Sequence, residues 1–152
     1  MTRSEILDVV KQFLALLEGE GPVEARESRL RLLLDRLALA YHFAEAPFDA
    51  RKHHEPPRAD YRLLRERISS LFPNYGFYST VLDVTNEVGE SEVGVGDSID
   101  DLTDIAMDLH EVLARCQMTS EEDALFHFRI LFEGHWGAHL RSLQQYLHAL
   151  TF

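Results

Sequence analysis

The stretch Ser98-IDDLTDIAMDLHEVLAR-Cys116 decides the fold. Its apolar residues recur at intervals of three and four, a spacing typical of one face of an amphipathic α-helix: Ile99, Leu102, Ile105, Leu109 and Leu113. Ser98 followed by Asp101 supplies the capping signal with which such a helix begins. We therefore predict a helix from Ser98 to about Cys116, with aspartates beside its apolar face.

Helical spacing continues on both sides of this stretch. We predict helices from Thr2, whose capping box includes Glu5, to Leu17; from Pro22 to about Ala46; from Ala59 to about Phe72; and from Thr119 to Leu150. The second helix has apolar residues on two sides and is expected to be buried on both: Leu32, Leu39 and Phe43 lie opposite its main stripe. The first half of the last helix is apolar almost all round, which predicts a central position.

No confident strand accompanies these helices, so the fold class is all-α. We predict a single domain over residues 1–152, a bundle of about five helices with a long C-terminal helix. Residues 73–98 are expected to be mostly loop, with either a short strand or an irregular helical turn near Phe77 and Tyr78. Three glycines interleaved with glutamates suggest a mobile acidic segment there.

Composition and charge limit the possible functions. The chain has 152 residues, an apolar fraction of 45% and a net charge of −11, values that fit a folded domain and repel phosphates and anionic lipids. Residues 82–123 carry 13 acids and one base, Arg115, which favours a basic partner. Residues 51–67 carry three excess positive charges and either face the acidic stretch or are solvated. We expect no nucleic-acid or membrane partner.

A single cysteine, Cys116, excludes an intramolecular disulfide and fits a cytoplasmic location. The N-terminal residues do not resemble a secretory leader, and no apolar run reaches the length of a membrane span. The sequence also lacks a phosphate-binding glycine loop, a nucleophile elbow and paired zinc-type cysteines. We therefore expect no catalytic residue and no cofactor, with a transition-metal ion as the alternative.

One polar constellation stands out against this background. A helical projection places His139 within the apolar stripe of the last helix and His135 at its edge, so both are expected to be at least partly buried. The same projection places Asp101 and Asp108 beside the apolar face of the preceding helix, with Asp104 further out. Because the pairs His135/His139 and Asp104/Asp108 each span about 6 Å, they can match across an antiparallel contact.

Three interpretations of these residues remain open. The imidazoles and carboxylates can form a hydrogen-bond network that joins two helices, they can bind a metal ion, or they can perform acid–base chemistry. The Glu-x-x-His and His-Glu-x-x-His patterns of known metal sites are absent. Gly134 and Gly137 are unusual in a helix, and we expect a neighbouring helix to approach them closely, with Trp136 covering the junction.

Two segments carry a resemblance to a known family. They are Val95-GDSIDDLTD-Ile105, with its Asp-Asp-Leu-x-Asp-Ile helix start, and Phe132-EGHWGAH-Leu140, with its Phe-x-x-His-Trp-Gly-x-His-Leu pattern. The sequence resembles a bacterial family of small helical proteins known as domain of unknown function 5063. The resemblance implies the helical fold and the pairing of the two motifs, and it implies no activity, cofactor or partner.

Two functional hypotheses follow. The first is a small, acidic, non-catalytic interaction module whose surface around residues 82–123 binds a basic protein; an immunity or antitoxin-like protein that covers a cationic toxin is a narrower form of it. The second is a metal-binding protein or metal-dependent enzyme that uses Asp104, Asp108, His135 and His139, with Asp101 or Glu133 as further ligands or bases.

Overall fold

α-Helices dominate the structure, a computed structural model that describes residues 1–152, and the predicted all-α fold class is confirmed. One connected apolar core joins the helices. No helix combines the length and the apolar character that crossing a bilayer requires. The elements are α1 (Arg3–Leu16), α2 (Val23–Tyr41), α3 (Tyr61–Leu71), β1 (Phe77–Val81), β2 (Val93–Asp97), α4 (Ser98–Met118), α5 (Glu121–Leu131), a π-helical turn (Phe132–Trp136) and α6 (Gly137–Thr151).

Side-chain caps fix where the helices begin. The capping box predicted for α1 is present: the Thr2 hydroxyl accepts from the Glu5 backbone N–H, and the Glu5 carboxylate accepts from that of Thr2. At α4 the cap is Asp97 rather than Ser98, and at α5 it is Ser120 rather than Thr119. The predicted cap of α4 was therefore one residue too late and that of α5 one residue too early, within the usual uncertainty of helix ends.

Helix α4 occupies the centre of the bundle. It contacts α1, α3, α5 and α6, and its buried positions run from Ser98 to Arg115. The prediction that the last helix is central was wrong, because Ile130 is exposed and Phe126 is only half-buried. Helix α4 takes that place because helices cover it on opposite sides.

The second apolar side of α2 is not covered. Leu32, Leu39 and Phe43 are each about half exposed, although the sequence predicted that both sides of this helix are buried. Helix α2 packs on α1 and α6 through its main stripe, which includes Leu30 and Leu37. Its position at the edge of the bundle explains why the second side meets solvent.

Residues 77–97 form an antiparallel β-hairpin, which confirms the short strand considered near Phe77 and Tyr78 and adds a second strand that was not predicted. Strands β1 and β2 pair in the register Phe77↔Asp97 to Val81↔Val93. The Tyr78 ring lies across Gly96, where an added Cβ would come within 2.2 Å of a ring carbon. The two strand glycines weaken the local strand signal, yet Gly96 is what lets Tyr78 reach the helices.

The last helix is continuous but changes its winding near the predicted bend. The Gly137 N–H donates to the Phe132 carbonyl, a bond from residue i to i−5 that defines the π-helical turn. An added Cβ on Gly137 would lie 2.4 Å from that carbonyl oxygen, whereas one on Gly134 would meet nothing within 4 Å. The expected close neighbouring helix is therefore absent: Gly137 accommodates its own helix, and Gly134 faces open space.

Trp136 anchors this turn in the core. It is fully buried, its indole N–H donates to the Phe128 carbonyl oxygen at 3.3 Å, and its ring packs edge-on against Phe128 and Phe132. The turn is thus fixed on one side by an aromatic cluster. The residue before Trp136 is His135, whose orientation follows from this anchor.

We predict opposite effects for the same substitution at the two glycines. Gly137→Ala should lower the free energy of unfolding by about 1–3 kcal/mol, because the Phe132 carbonyl occupies the space that the methyl group needs. Gly134→Ala should raise it by up to about 1 kcal/mol through helix propensity alone. Urea unfolding followed by circular dichroism measures both, and equal effects of the two substitutions would contradict this account.

Candidate metal centre

Two hydrogen bonds join α4 to the last helix across an antiparallel contact. His135 Nδ1 lies 2.7 Å from Asp108 Oδ2, and His139 Nδ1 lies 2.8 Å from Asp101 Oδ1. Because an ionised carboxylate only accepts, each Nδ1 carries the proton in the neutral imidazole and each Nε2 keeps its lone pair. The predicted meeting of carboxylates and imidazoles is therefore present, with Asp101 rather than Asp104 as the partner of His139.

Asp104 lies between these two pairs. Its Oδ2 is 3.5 Å from His139 Nε2, and one ligand atom from each of Asp104, His135 and His139 lies within 4.8 Å of the others. Asp104 accepts no hydrogen bond in the structure. The three side chains thus bring one carboxylate and two imidazoles to one point on the protein surface.

Exposure differs across the cluster. The Asp101 and Asp108 side chains are nearly buried, His139 is 25% exposed and His135 is 45% exposed. Both histidines are partly buried, as predicted, and His135 is the more exposed of the two. The carboxylates that orient the imidazoles thus lie below the surface, while the imidazoles themselves are accessible.

The pKa values in the cluster follow from this difference in burial. Burial raises the pKa of the Asp104 carboxyl, against the opposing attraction of His139, and burial likewise raises the pKa of Asp108. The hydrogen bond to Asp101 raises the pKa of His139, with further support from the charge of Asp104. The site therefore holds negative charge that is poorly solvated and that attracts a cation.

Tyr78 extends the cluster into the hairpin. Its hydroxyl donates to Asp101 Oδ2, the second oxygen of the carboxylate that holds His139, and its ring stacks on Tyr146 with centroids 5.1 Å apart. Burial, followed by this hydrogen bond, raises the pKa of Tyr78, so the phenol stays neutral. Both Asp101 oxygens are thereby occupied, and the carboxylate is fixed in place.

The first turn of α4 has a separate partner. Arg65 on α3 contacts Asp97 at 2.6 Å and Asp100 at 3.7 Å, and Tyr61 donates to Asp100. Arg65 belongs to the basic stretch 51–67, so part of that stretch does face the acidic one. Arg65 offsets one of the two negative charges of Asp97 and Asp100, and Asp101, Asp104 and Asp108 lie beside the histidines.

Glu133, a further candidate ligand, lies outside the cluster. Its carboxylate accepts from Tyr41 at 2.9 Å and from Arg129 at 3.1 Å. Sequence reasoning did not find Tyr78 as a member of the site. One sequence feature points to Tyr78: its large side chain lies across from Gly96, which has none. That pairing belongs to a hairpin that was not predicted.

The sequence was then compared with known proteins. The profile of the family described as "Domain of unknown function (DUF5063)" matches residues 2–152. The chain belongs to this family. The search of curated proteins returned no significant match. The structure is similar to the crystal structure of protein BF1032 from Bacteroides fragilis, with a TM-score of 0.76, 18% identity, and coverage of 97% of this chain and 90% of that one. This likeness shows a shared fold.

Replacing Asp104 tests the electrostatics of the cluster. A carboxyl whose folded pKa is raised contributes stability below its unfolded pKa and loses it as the pH rises through the folded value. At pH 7 the ionised Asp104 therefore destabilises the metal-free protein, and Asp104→Asn should raise its melting temperature. Calorimetry in the presence of a chelator measures this, with Asp8→Asn on the exposed face of α1 as the control. A lower melting temperature for Asp104→Asn would refute this sign.

Proposed function

We propose that the protein binds one divalent transition-metal ion through Asp104, His135 and His139. The observation that carries the proposal is the arrangement of the imidazoles: each Nδ1 is held by a buried carboxylate, the Nε2 of His139 lies 3.5 Å from Asp104, and one ligand atom of His135 lies within 4.8 Å of both. Metal-binding histidines in proteins characteristically donate their second ring N–H to a carboxylate in this way. In this arrangement Asp101 and Asp108 do not bind the metal ion and instead hold the two imidazoles in position.

The donor set selects the class of metal. Two imidazoles and one carboxylate suit first-row transition metals, whereas Mg²⁺ and Ca²⁺ prefer oxygen donors alone. Three protein ligands leave at least one coordination position open. Tetrahedral ligand atoms at bond lengths near 2.1 Å are about 3.4 Å apart. His139 and Asp104 already meet this spacing at 3.5 Å, and the remaining ligand atoms, within 4.8 Å, would approach by at most about 1.4 Å.

Charge and exposure support metal binding over a hydrogen-bond network alone. A network that only joins two helices needs neither an accessible His135 nor a third carboxylate without a hydrogen bond. A cation at this point would neutralise Asp104, whose pKa burial raises in its absence. Both features are expected of a binding site and are unfavourable in a purely structural contact.

Titration of the chelator-treated protein with Zn²⁺ or Co²⁺ tests the site. We expect one ion per chain by isothermal titration calorimetry, with a higher melting temperature on binding. Asp104→Asn should abolish binding, because it removes the anionic ligand while it keeps the shape. Asp101→Asn and Asp108→Asn should each weaken affinity by about 10–100-fold through loss of ligand orientation.

The control is His148→Ala, at an exposed histidine of the same helix, which should bind metal as the parent protein does. Absorption bands of bound Co²⁺ report its ligand geometry directly and should change in the Asp101 and Asp108 variants. Absence of stoichiometric binding, or equal binding by the parent and Asp104→Asn, would leave the residues as a hydrogen-bond network.

We propose a second function, the binding of a basic protein partner in the cytoplasm. The observation that favours it is the unpaired charge of residues 82–92: Glu87, Glu90 and Glu92 are exposed, and none of them forms a salt bridge. Such surface charge steers association with an oppositely charged partner. A cationic toxin, the partner of an immunity-type protein, belongs to this chemical class. The absence of a second cysteine fits a reducing compartment.

Binding of labelled poly-lysine measures this attraction, with poly-glutamate as the control. We expect poly-lysine to bind and its affinity to fall as salt screens the charges. The triple variant Glu87→Gln, Glu90→Gln and Glu92→Gln should weaken binding and flatten its salt dependence. Unchanged binding by that variant would contradict a role for these glutamates.

A further inference from the structure

The outer face of the hairpin is apolar and uncovered. The side chains of this face come from alternate positions of β1 and β2. Four of them are apolar and exposed, Phe77 (73%), Val81 (47%), Val93 (71%) and Val95 (79%), and Ser79 and Asp97 complete the face. The opposite face is occupied by Tyr78, which contacts Asp101 and Tyr146. A two-stranded sheet with one apolar face in water is a characteristic interaction surface.

The hairpin is held firmly by the helices. The Gly76 carbonyl accepts from the Ser98 hydroxyl at 2.6 Å and from the Ser98 backbone N–H, and the Gly76 N–H donates to the Tyr146 hydroxyl at 3.0 Å. The open end of the hairpin is thus tied to α4 and α6. The exposed face is therefore a preformed platform, because hydrogen bonds to α4 and α6 fix the position of its backbone.

An acidic loop borders this platform. The connection between the strands, residues 82–92, contains four acids and no Lys, Arg or His: Asp83, Glu87, Glu90 and Glu92. It also exposes Leu82, Val84 and Val88. Arg141 lies in the groove between the hairpin and α6, which Val81 and Val93 also line. Negative charge thus flanks the apolar face at the loop end.

This charge excludes several occupants. A second copy that packs face to face with its hairpin in the same direction would bring two acidic loops together, a repulsive contact. Anionic lipid headgroups and nucleic-acid phosphates are repelled in the same way. An apolar surface with an acidic border is complementary to a polypeptide that carries apolar side chains next to Lys or Arg.

We propose that the outer face of the hairpin, formed by Phe77, Val81, Val93 and Val95, is the docking site for a basic polypeptide segment with interspersed apolar residues. The segment packs its apolar side chains on this face and places its cations against the loop glutamates. An extended segment suits the outer face and the unpaired edges of the two strands. This inference rests on the proposed binding of a basic partner and gives that partner a site.

A labelled peptide of alternating valine and lysine tests the site by fluorescence anisotropy. Two further probes separate its components: the peptide with serine for valine, and the peptide with glutamate for lysine. The double variant Val93→Thr and Val95→Thr removes apolar surface but keeps the β-branched shape that strands favour. We expect the valine–lysine peptide to bind the parent protein at least about tenfold more tightly than either other peptide, and about tenfold more tightly than it binds the double variant.

The outcomes separate the site from the wider proposal. If the double variant keeps its fold by circular dichroism and binds the valine–lysine peptide as the parent does, the docking face is refuted while attraction to basic partners remains. If neither this peptide nor poly-lysine binds, both proposals fail. If sedimentation shows a dimer that the double variant abolishes, the occupant is a second copy and the proposal is overturned.

Discussion

The structure depends on one conflict, between the burial of α4 and the aspartates on that same helix. Helices α1, α3, α5 and α6 all pack on α4, and Asp101 and Asp108 lie nearly buried beside its apolar face. Buried carboxylates require partners. Arg65 pairs with Asp97 at the start of the helix. In the following turns, His139 pairs with Asp101 and His135 pairs with Asp108. The N-terminal dipole of the helix adds to the stabilisation of the first of these charges.

The π-helical turn resolves a second conflict, between the core and the site. Trp136 must enter the aromatic cluster of Phe128 and Phe132, while the adjacent His135 must reach Asp108 on α4. The extra residue in the turn alters the rotation between the two halves of the helix. Gly137 permits this winding because no side chain competes with the Phe132 carbonyl. Such turns are frequent at functional sites, which is consistent with the proposed metal centre.

Sequence reasoning found the members of the site more reliably than their pairing. Helical projection brought the aspartates and histidines together, but matched the histidines with the pair Asp104/Asp108 through equal spacing along an ideal helix. In the structure Asp101 and Asp108 are the partners, which leaves Asp104 without a hydrogen bond. The π-helical turn breaks the ideal periodicity, and the register between two helices depends on how their cores interdigitate. Neither quantity is encoded in local spacing.

The sequence by itself determined the helical fold class, the number of long helices and the meeting of the carboxylate and imidazole motifs, because amphipathic periodicity and capping are local properties. Only the tertiary structure decided that α4 is central, that residues 77–97 form a hairpin, and that Tyr78 joins the cluster through Asp101. The physical reason lies in long-range packing. The strand pairing places Tyr78 across Gly96, and neither strand alone carries a signal strong enough to predict that contact.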